Sequence, residues 1–245
     1  MPLSKISIKR FRCFEEINLD LSPGVNFFYG TNGSGKTSIL ESIFIFSSGK
    51  SFKSSNLSSL ININFDNFSL KAFDTARGYI VEINKDRNKP ISVQLNNSKI
   101  TTSKLIREFP CSPIHNNTFS FADASPDFRR KLLDRSIFIA DDSFSSNWFS
   151  FYRSLKQRNS LLKKGATAEI NAWNESFIKE GNSLSILRRN FFELTLLEFK
   201  NFMTLIEPKN VFNFFNDINI AFFSGWDSDE SLKDTLDKNS DVDQY

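Results

Sequence analysis

The sequence predicts an α/β chain, a mixed-sheet lobe built around one glycine loop and followed by an inserted helical lobe. Three observations lead there. The segment Gly30-Thr31-Asn32-Gly33-Ser34-Gly35-Lys36-Thr37 lies between a strand-like run and a helix-like run. Short stretches of alternating apolar and polar residues fill the chain up to residue 97. After Pro126 the apolar residues recur at helical spacing instead.

The elements follow in order. Lys5 to Lys9 and Ile17 to Leu21 alternate as strands do, and Gly24-Val-Asn-Phe-Phe-Tyr29 reads as a strand running into the glycine loop. Ile39, Leu40, Ile43 and Phe44 then mark one face of a helix over Thr37 to Phe46, with Lys36 at its start. Asn67 to Phe73, Tyr79 to Ile83 and Ile91 to Leu95 form a meander, punctuated by Arg77-Gly78 and by Asp86 to Pro90. Phe128, Leu132, Leu133 and Ile137 make one helical stripe. Two further helices are expected over Trp148 to Leu162 and from Ala172 to about Ile206. Ile218 to Phe223 alternates like a return strand, and an acidic tail with little apolar content runs from Asp227 to Tyr245. The expected division is therefore 1–124, 125–210 and 211–245.

Composition narrows the class. With 245 residues and 40% apolar content the chain can bury a core. It has no apolar run of about 18 residues, and Met1-Pro-Leu-Ser-Lys5 lacks a signal-peptide core, so a cytoplasmic protein without a membrane segment is expected. Cys13 and Cys111 are far apart, with no CxxC or His-rich spacing of the kind that suggests a disulfide framework or a zinc site, and both read as reduced structural thiols. The net charge of +3 suits nucleic acid as a partner and equally suits an ordinary solvated surface. The 28 phenylalanines are scattered over all elements and form no base-stacking motif. His115, the only histidine, has no Ser or Cys partner in its sequence context and reads as a loop residue.

The glycine loop carries the chemistry. It matches G-x-x-x-x-G-K-[ST], in which glycines let successive backbone N–H groups converge on a phosphate and the following helix adds the positive end of its dipole. Gly30, Thr31, Asn32, Gly33, Ser34 and Gly35 would form the cradle. Lys36 would meet the β- and γ-phosphates of ATP, and the Thr37 hydroxyl would be a Mg²⁺ ligand. Such a loop serves ATPases, kinases and GTPases alike.

Flanking segments separate these. Ile6-Ser-Ile-Lys-Arg10-Phe11-Arg12-Cys13-Phe14 precedes the loop, and Leu40-Glu41-Ser42-Ile43 and Gly49-Lys50-Ser51-Phe52-Lys53-Ser54 follow it. Farther on come Ser125-Pro-Asp-Phe-Arg129-Arg130-Lys131-Leu-Leu-Asp134 and Tyr152-Arg-Ser-Leu-Lys-Gln-Arg-Asn159. From residue 3 to about 235 the chain resembles the RecF family, relatives of SMC and ABC-type ATPases. The resemblance implies an ABC-type ATPase lobe and an ATP-dependent homodimer clamping double-stranded DNA near single-strand gaps. It further implies RecO and RecR as partners in loading RecA, and roles in DNA repair, replication restart and the SOS response. Arg12 would then reach toward the nucleotide phosphates; without the resemblance, Arg10 and Arg12 read as exposed strand charges. Cys13 replaces the family's usual Asn, and Ser112 stands where a Q-loop glutamine is expected.

Two segments of that family have no counterpart here: an L-S-x-G-Q signature and a Walker B strand, both of which the family carries beyond the last residue of this chain. The expectation is thus an incomplete hydrolytic site, with no catalytic residue assigned. Ser136-Ile-Phe-Ile-Ala-Asp141-Asp142 spells an apolar run ending in carboxylates, but it continues the helical period from Phe128, so Asp141 reads as following a helix. Two alternatives stay open, a self-sufficient P-loop kinase or NTPase using Asp141, and a fragment without function. Arg129-Arg130-Lys131 and the run from Lys156 through Arg158 to Lys163 and Lys164 are solvated faces or phosphate-contacting surfaces.

Overall fold

A computed structural model describes residues 3–114, 124–165, 167–206, 220–226 and 230–239. The chain forms two compact units, Met1–Asp123 and Ala124–Tyr245. His115 lies outside the described residues.

The first unit is a six-stranded sheet with helices. Strands β1 (Lys5–Phe11), β2 (Phe14–Asp20), β3 (Asn67–Asp74), β4 (Tyr79–Asp86), β5 (Ser92–Leu95) and β6 (Ser98–Lys99) are joined by α1 (Lys36–Ser48) and followed by α2 (Thr102–Glu108). The order is β2-β1-β3-β4-β5-β6. Register explains the core: Leu19, Ile6, Ala72, Val81 and Leu95 lie opposite one another across five strands, and Ile17, Ile8, Leu70, Ile83 and Val93 form the next such row. Since side chains alternate faces along a strand, both rows point the same way. Each fully buried Ile or Leu among them contributes about 1.5–3 kcal/mol. Lys9–Glu16 and Lys71–Glu82 pair across strands at 2.9 and 3.7 Å, worth little individually.

The meander expected over 67–97 is present. One turn within it was not foreseen: Asn96 and Asn97 adopt φ 48° and 63°, the left-handed pair that a two-residue hairpin requires and that Asn tolerates. The expected mixed sheet is antiparallel in every described pairing. The reason is the segment before the glycine loop. Residues 25–29 pair with no described strand, and Val25, Phe27 and Tyr29 are 74%, 84% and 94% exposed. β-propensity yields a strand only where a neighbour supplies the ladder.

Helix α1 buries more than the single face read from its spacing. Leu40 is exposed, whereas every residue from Phe44 to Ser48 is buried. Ser42, Ser47 and Ser48 are accommodated because their hydroxyls donate back to the carbonyls of Ile39 and Phe44. At the far end of the unit, Arg77 donates to Asp74 at 2.8 Å and to the Glu108 carbonyl at 3.0 Å, and lies over the rings of Tyr79 and Phe109. This fixes the end of α2 to the β3–β4 hairpin.

The second unit comprises α3 (Pro126–Ala140), α4 (Phe144–Lys164), α5 (Thr167–Ile206) and α6 (Leu232–Lys238). The Ser125 hydroxyl caps α3 by accepting from the Phe128 N–H, with Pro126 in the first turn. Ile137, Phe144 and Leu184 centre its core. Phe128 and Leu132, expected in the same stripe, are 51% and 46% exposed. At the join of α3, α4 and α5, Asp134 accepts two hydrogen bonds from Arg188, both 2.7 Å, and one from the Trp148 indole at 3.2 Å.

The tail also differs from expectation. Residues 232–238 form α6, opened by a capping box between Ser231 and Asp234. Leu232 is buried and would lie 2.7 Å from a Cβ on Gly181, so α6 docks where α5 has no side chain. The expected return strand over 218–223 is not formed at residues 220–223, and its first two residues lie outside the described set.

Candidate functional site

Of the predicted cradle, Asn32, Gly33 and Gly35 line a cleft of ≈ 640 Å³ in the first unit, whereas Gly30, Thr31 and Ser34 are not among its described lining residues. Arg12, Cys13, Asn32, Lys36, Thr37 and Lys53 line it, over a wall that includes Ile61 and Ile63. No carboxylate is among its described lining residues.

Backbone geometry shapes the loop. Gly30, Gly33 and Gly35 take φ 149°, 84° and 89°, conformations that turn the chain sharply. At Gly35 a second constraint applies: a Cβ there would meet the Phe14 ring at 2.3 Å and Cys13 Sγ at 2.9 Å. Gly35 is also the N-cap of α1 and offers no capping side chain. The first N–H groups of α1 therefore face the cleft without a side-chain acceptor from the cap, an arrangement that favours an anion.

Lys36 begins α1, and its ammonium donates to the carbonyls of Gly30 and Thr31 at 2.8 and 2.7 Å. The cation thus spans the loop it would serve. Thr37 follows, exposed on the first turn beside it. Ser34 N–H donates to the Thr31 carbonyl at 3.3 Å and closes the loop. The set fits a magnesium–nucleotide: a helix start without a capping side chain, one lysine, and one hydroxyl for a metal that keeps most ligands from phosphate and water.

Arg12 reaches the same cleft from the other side. It occupies the two-residue turn between β1 and β2, flanked by the Phe11–Phe14 pair, at φ 54°. Arg10 has φ 56°. Such conformations cost about 1–3 kcal/mol each in a non-glycine residue. They are held by Arg12 N–H donating to Leu60 O at 2.7 Å and Asn62 N–H donating to Arg10 O at 2.9 Å.

Arg12 does not enter the cleft unpartnered. Its Nε and Nη2 donate to the two oxygens of Glu41 at 2.9 and 3.0 Å, and Glu41 is only 1% exposed. Glu41 Oε1 also accepts from the Ser51 hydroxyl. In the sequence, Glu41, Ser51 and Lys53 stand in segments that carry the family resemblance and have no role of their own. The available signal was a carboxylate inside the apolar run Ile39-Leu-Glu-Ser-Ile-Phe44, because buried carboxylates occur almost only when paired.

Other candidates fall elsewhere. Ser112 is exposed and does not line this cleft. Asp141 is the C-cap of α3, its N–H donating to Ile137 O, so it stands at a helix end and not on a strand. Arg158 is not on a solvated face: it is buried, donates to Asn174 at 2.8 Å and lies over the Phe177 ring. Arg130 and Lys131 pair with Asp127 at 3.7 and 2.6 Å. Among the described residues no cluster of His, Cys, Asp and Glu has the makings of a metal site, and no helix is long and apolar enough to cross a membrane.

Residues 1–241 match the AAA ATPase domain family. The chain is 31% identical over 241 residues to the DNA replication and repair protein RecF of Shewanella baltica, covering 97% of this chain and 65% of the relative. It is 32% identical to RecF of Pseudoalteromonas translucida, covering 99% and 67%, and 31% identical to RecF of Vibrio parahaemolyticus, covering 100% and 68%. It spans about two thirds of these proteins' length. A solved structure of the recombination mediator protein RecF with ATP in the RecFOR pathway superposes with a TM-score of 0.72 at 25% identity, covering 84% of this chain and 58% of that one. Its counterpart with ATPrS gives 0.68 at 26%. On its cleft, fold and sequence together, the chain belongs to the RecF family of DNA replication and repair proteins.

Proposed function

We propose that this chain is the nucleotide-binding portion of a RecF-like repair ATPase, taking ATP with Mg²⁺ in the cleft and using it to control the pairing of two copies on double-stranded DNA near single-strand gaps. The observation that carries the reading is Lys36 and Thr37 standing together at the start of α1, beside a loop turned by Gly30, Gly33 and Gly35. In this reading the loop N–H groups and Lys36 hold the β- and γ-phosphates, Thr37 holds the metal, and Arg12 adds charge from the β1–β2 turn. Mg²⁺ supplies charge neutralisation and orientation of the phosphates when bound. Binding without turnover is expected of this chain alone, since no carboxylate lines the described cleft to order a water.

RecO and RecR are proposed as partners because the similar solved structures concern the RecFOR pathway. DNA contacts fall to exposed cations. With Arg130 and Lys131 paired to Asp127 and Arg158 buried, Arg129, Lys156, Lys163 and Lys164 are the exposed cations left of the two basic runs read from the sequence.

Equilibrium binding of ATP–Mg²⁺ to the purified chain and to Lys36→Ala, with phosphate release followed with and without duplex DNA, tests the reading. Lys36-dependent binding without turnover is the expected result. Equal binding by both proteins would remove the cleft from consideration, and Lys36-dependent turnover would refute the non-hydrolysing half-site.

A further inference from the structure

Helix α4 carries no aspartate or glutamate in its 21 residues, yet it holds Arg153, Lys156, Arg158, Lys163 and Lys164. Its sequence divides into two faces. Phe144, Asn147, Phe151, Ser154 and Arg158 recur at the three- and four-residue steps of one helical stripe. This stripe packs on α5: Ser183 donates to Asn147 at 3.1 Å, the Phe151 and Phe177 rings stack at 5.2 Å, and Arg158 donates to Asn174 at 2.8 Å. Phe149, Arg153, Lys156 and Lys163 keep the same steps on the opposite side of the helix. All four are exposed, Phe149 at 67%.

Two features set this outer face apart from an ordinary solvated one. None of Arg153, Lys156 and Lys163 makes an ion pair with a described residue, so their charge is open to a polyanion. An aromatic ring also stands in line with them. Phe149 meets the Trp148 ring edge-on at 5.4 Å. Trp148 is itself fixed, its indole donating to Asp134 at 3.2 Å and its ring lying 4.1 Å from that of Tyr152. Phe149 is therefore presented to solvent from a well-held base.

A ring flanked by open cations fits a polyanion that also has flat apolar faces. Duplex DNA offers its phosphates but keeps its bases stacked, so an exposed ring gains nothing from it; a single strand offers both. We propose that the outer face of α4 binds single-stranded DNA, with Phe149 stacking on an unpaired base and Arg153, Lys156 and Lys163 meeting the phosphates beside it. The inference rests on the reading of this protein as DNA-binding and gives the helical unit the unpaired strand of a gap. At a rise of about 1.5 Å per residue the stripe from Phe149 to Lys163 runs about 21 Å, long enough for several nucleotides.

The test is fluorescence anisotropy with a labelled thymidine oligonucleotide, an abasic strand of the same length and a duplex. Each is titrated with the full chain, with Phe149→Ala, with Phe149→Trp and with the double variant Lys156→Gln, Lys163→Gln, and melting temperatures are measured alongside. Phe149→Ala is expected to weaken the thymidine strand about tenfold and to leave the abasic strand and the duplex within about twofold, while melting as the parent does. Phe149→Trp should restore thymidine binding, and the double lysine variant should weaken the thymidine and abasic strands alike and lower the salt dependence of binding. If the parent binds duplex but not the thymidine strand, or if Phe149→Ala and the double variant bind that strand like the parent, the α4 proposal fails and the DNA reading stands. If the parent binds none of the three ligands, the DNA reading fails and the proposal with it. A loss in Phe149→Ala equal for thymidine and abasic strands and matched by a fall in melting temperature would assign Phe149 a structural role and overturn the proposal.

Discussion

The Arg12 guanidinium grips the buried Glu41 carboxylate with two nearly equal hydrogen bonds, Nε to Oε2 at 2.9 Å and Nη2 to Oε1 at 3.0 Å. Arg12 is partly exposed and Glu41 is not, so removing the acid leaves a cation at the surface while removing the arginine strands a carboxylate inside. Arg12→Ala is therefore predicted to destabilise the first unit more than Glu41→Gln, by about 3 against about 1–2 kcal/mol. Urea titrations of the two variants decide it, and the reverse order would show that the pair is not the main partner of either group.

The glycines of the loop should not be equally sensitive. Gly33 has only its φ of 84° against it, with open space around a Cβ, whereas Gly35 combines φ 89° with the Phe14 ring at 2.3 Å. Gly33→Ala is expected to cost about 1 kcal/mol and Gly35→Ala at least about 3. Thermal melts of both, with ATP binding in parallel, provide the comparison; equal losses would mean that the ring contact is irrelevant.

Asp74 gives the fold an acid limit. Burial raises its pKa, but hydrogen bonds from Arg77 and the nearby charge outweigh this and hold it below the usual carboxylate value. A carboxyl depressed in the folded state contributes stability that is complete above the unfolded pKa near 3.9 and is lost as pH falls through the lower folded value. Asp74→Asn should cost about 2 kcal/mol at pH 7, and the gap from the parent should shrink steadily below about pH 4. A gap independent of pH would argue against the pairing.

Gly181 sets where α6 sits. An added methyl at this position meets Leu232 Cδ2 at 2.7 Å, the far end of a flexible side chain, while removing a glycine from mid-helix favours α5 by about 1 kcal/mol. Gly181→Ala should thus leave the melting temperature nearly unchanged yet speed tryptic cleavage at Lys233 and Lys238, as should Leu232→Ala. Unchanged proteolysis in both would mean that α6 is not held by this contact.

In the helical unit, Asp134 joins α3 to Arg188 on α5 and to Trp148 on α4. Asp134→Ala is predicted to cost about 3–5 kcal/mol and to shift Trp148 emission. An unshifted spectrum would place the indole outside the network.

What could be read from the sequence was what depends on neighbours in sequence. The glycine loop, the start of α3 at Ser125-Pro126 and the 67–97 meander are local patterns, and each is found in place. Residues 25–29 read as a strand from their β-forming side chains, but a strand needs a neighbour to complete its ladder. Glu41 and Ser51 take no role from the sequence because their partners lie 29 and 10 residues away, and Arg158 reads as surface charge because the same positive charge serves a solvent face or an aromatic ring equally well until packing decides.

The lead-in to the loop has one further effect. The glycine loop is tethered on one side to α1, but on the other the backbones of Val25, Phe27, Phe28 and Tyr29 make no hydrogen bond with any described residue. The amide protons of these residues are therefore expected to exchange with solvent faster than those of β1 or α1 on either side.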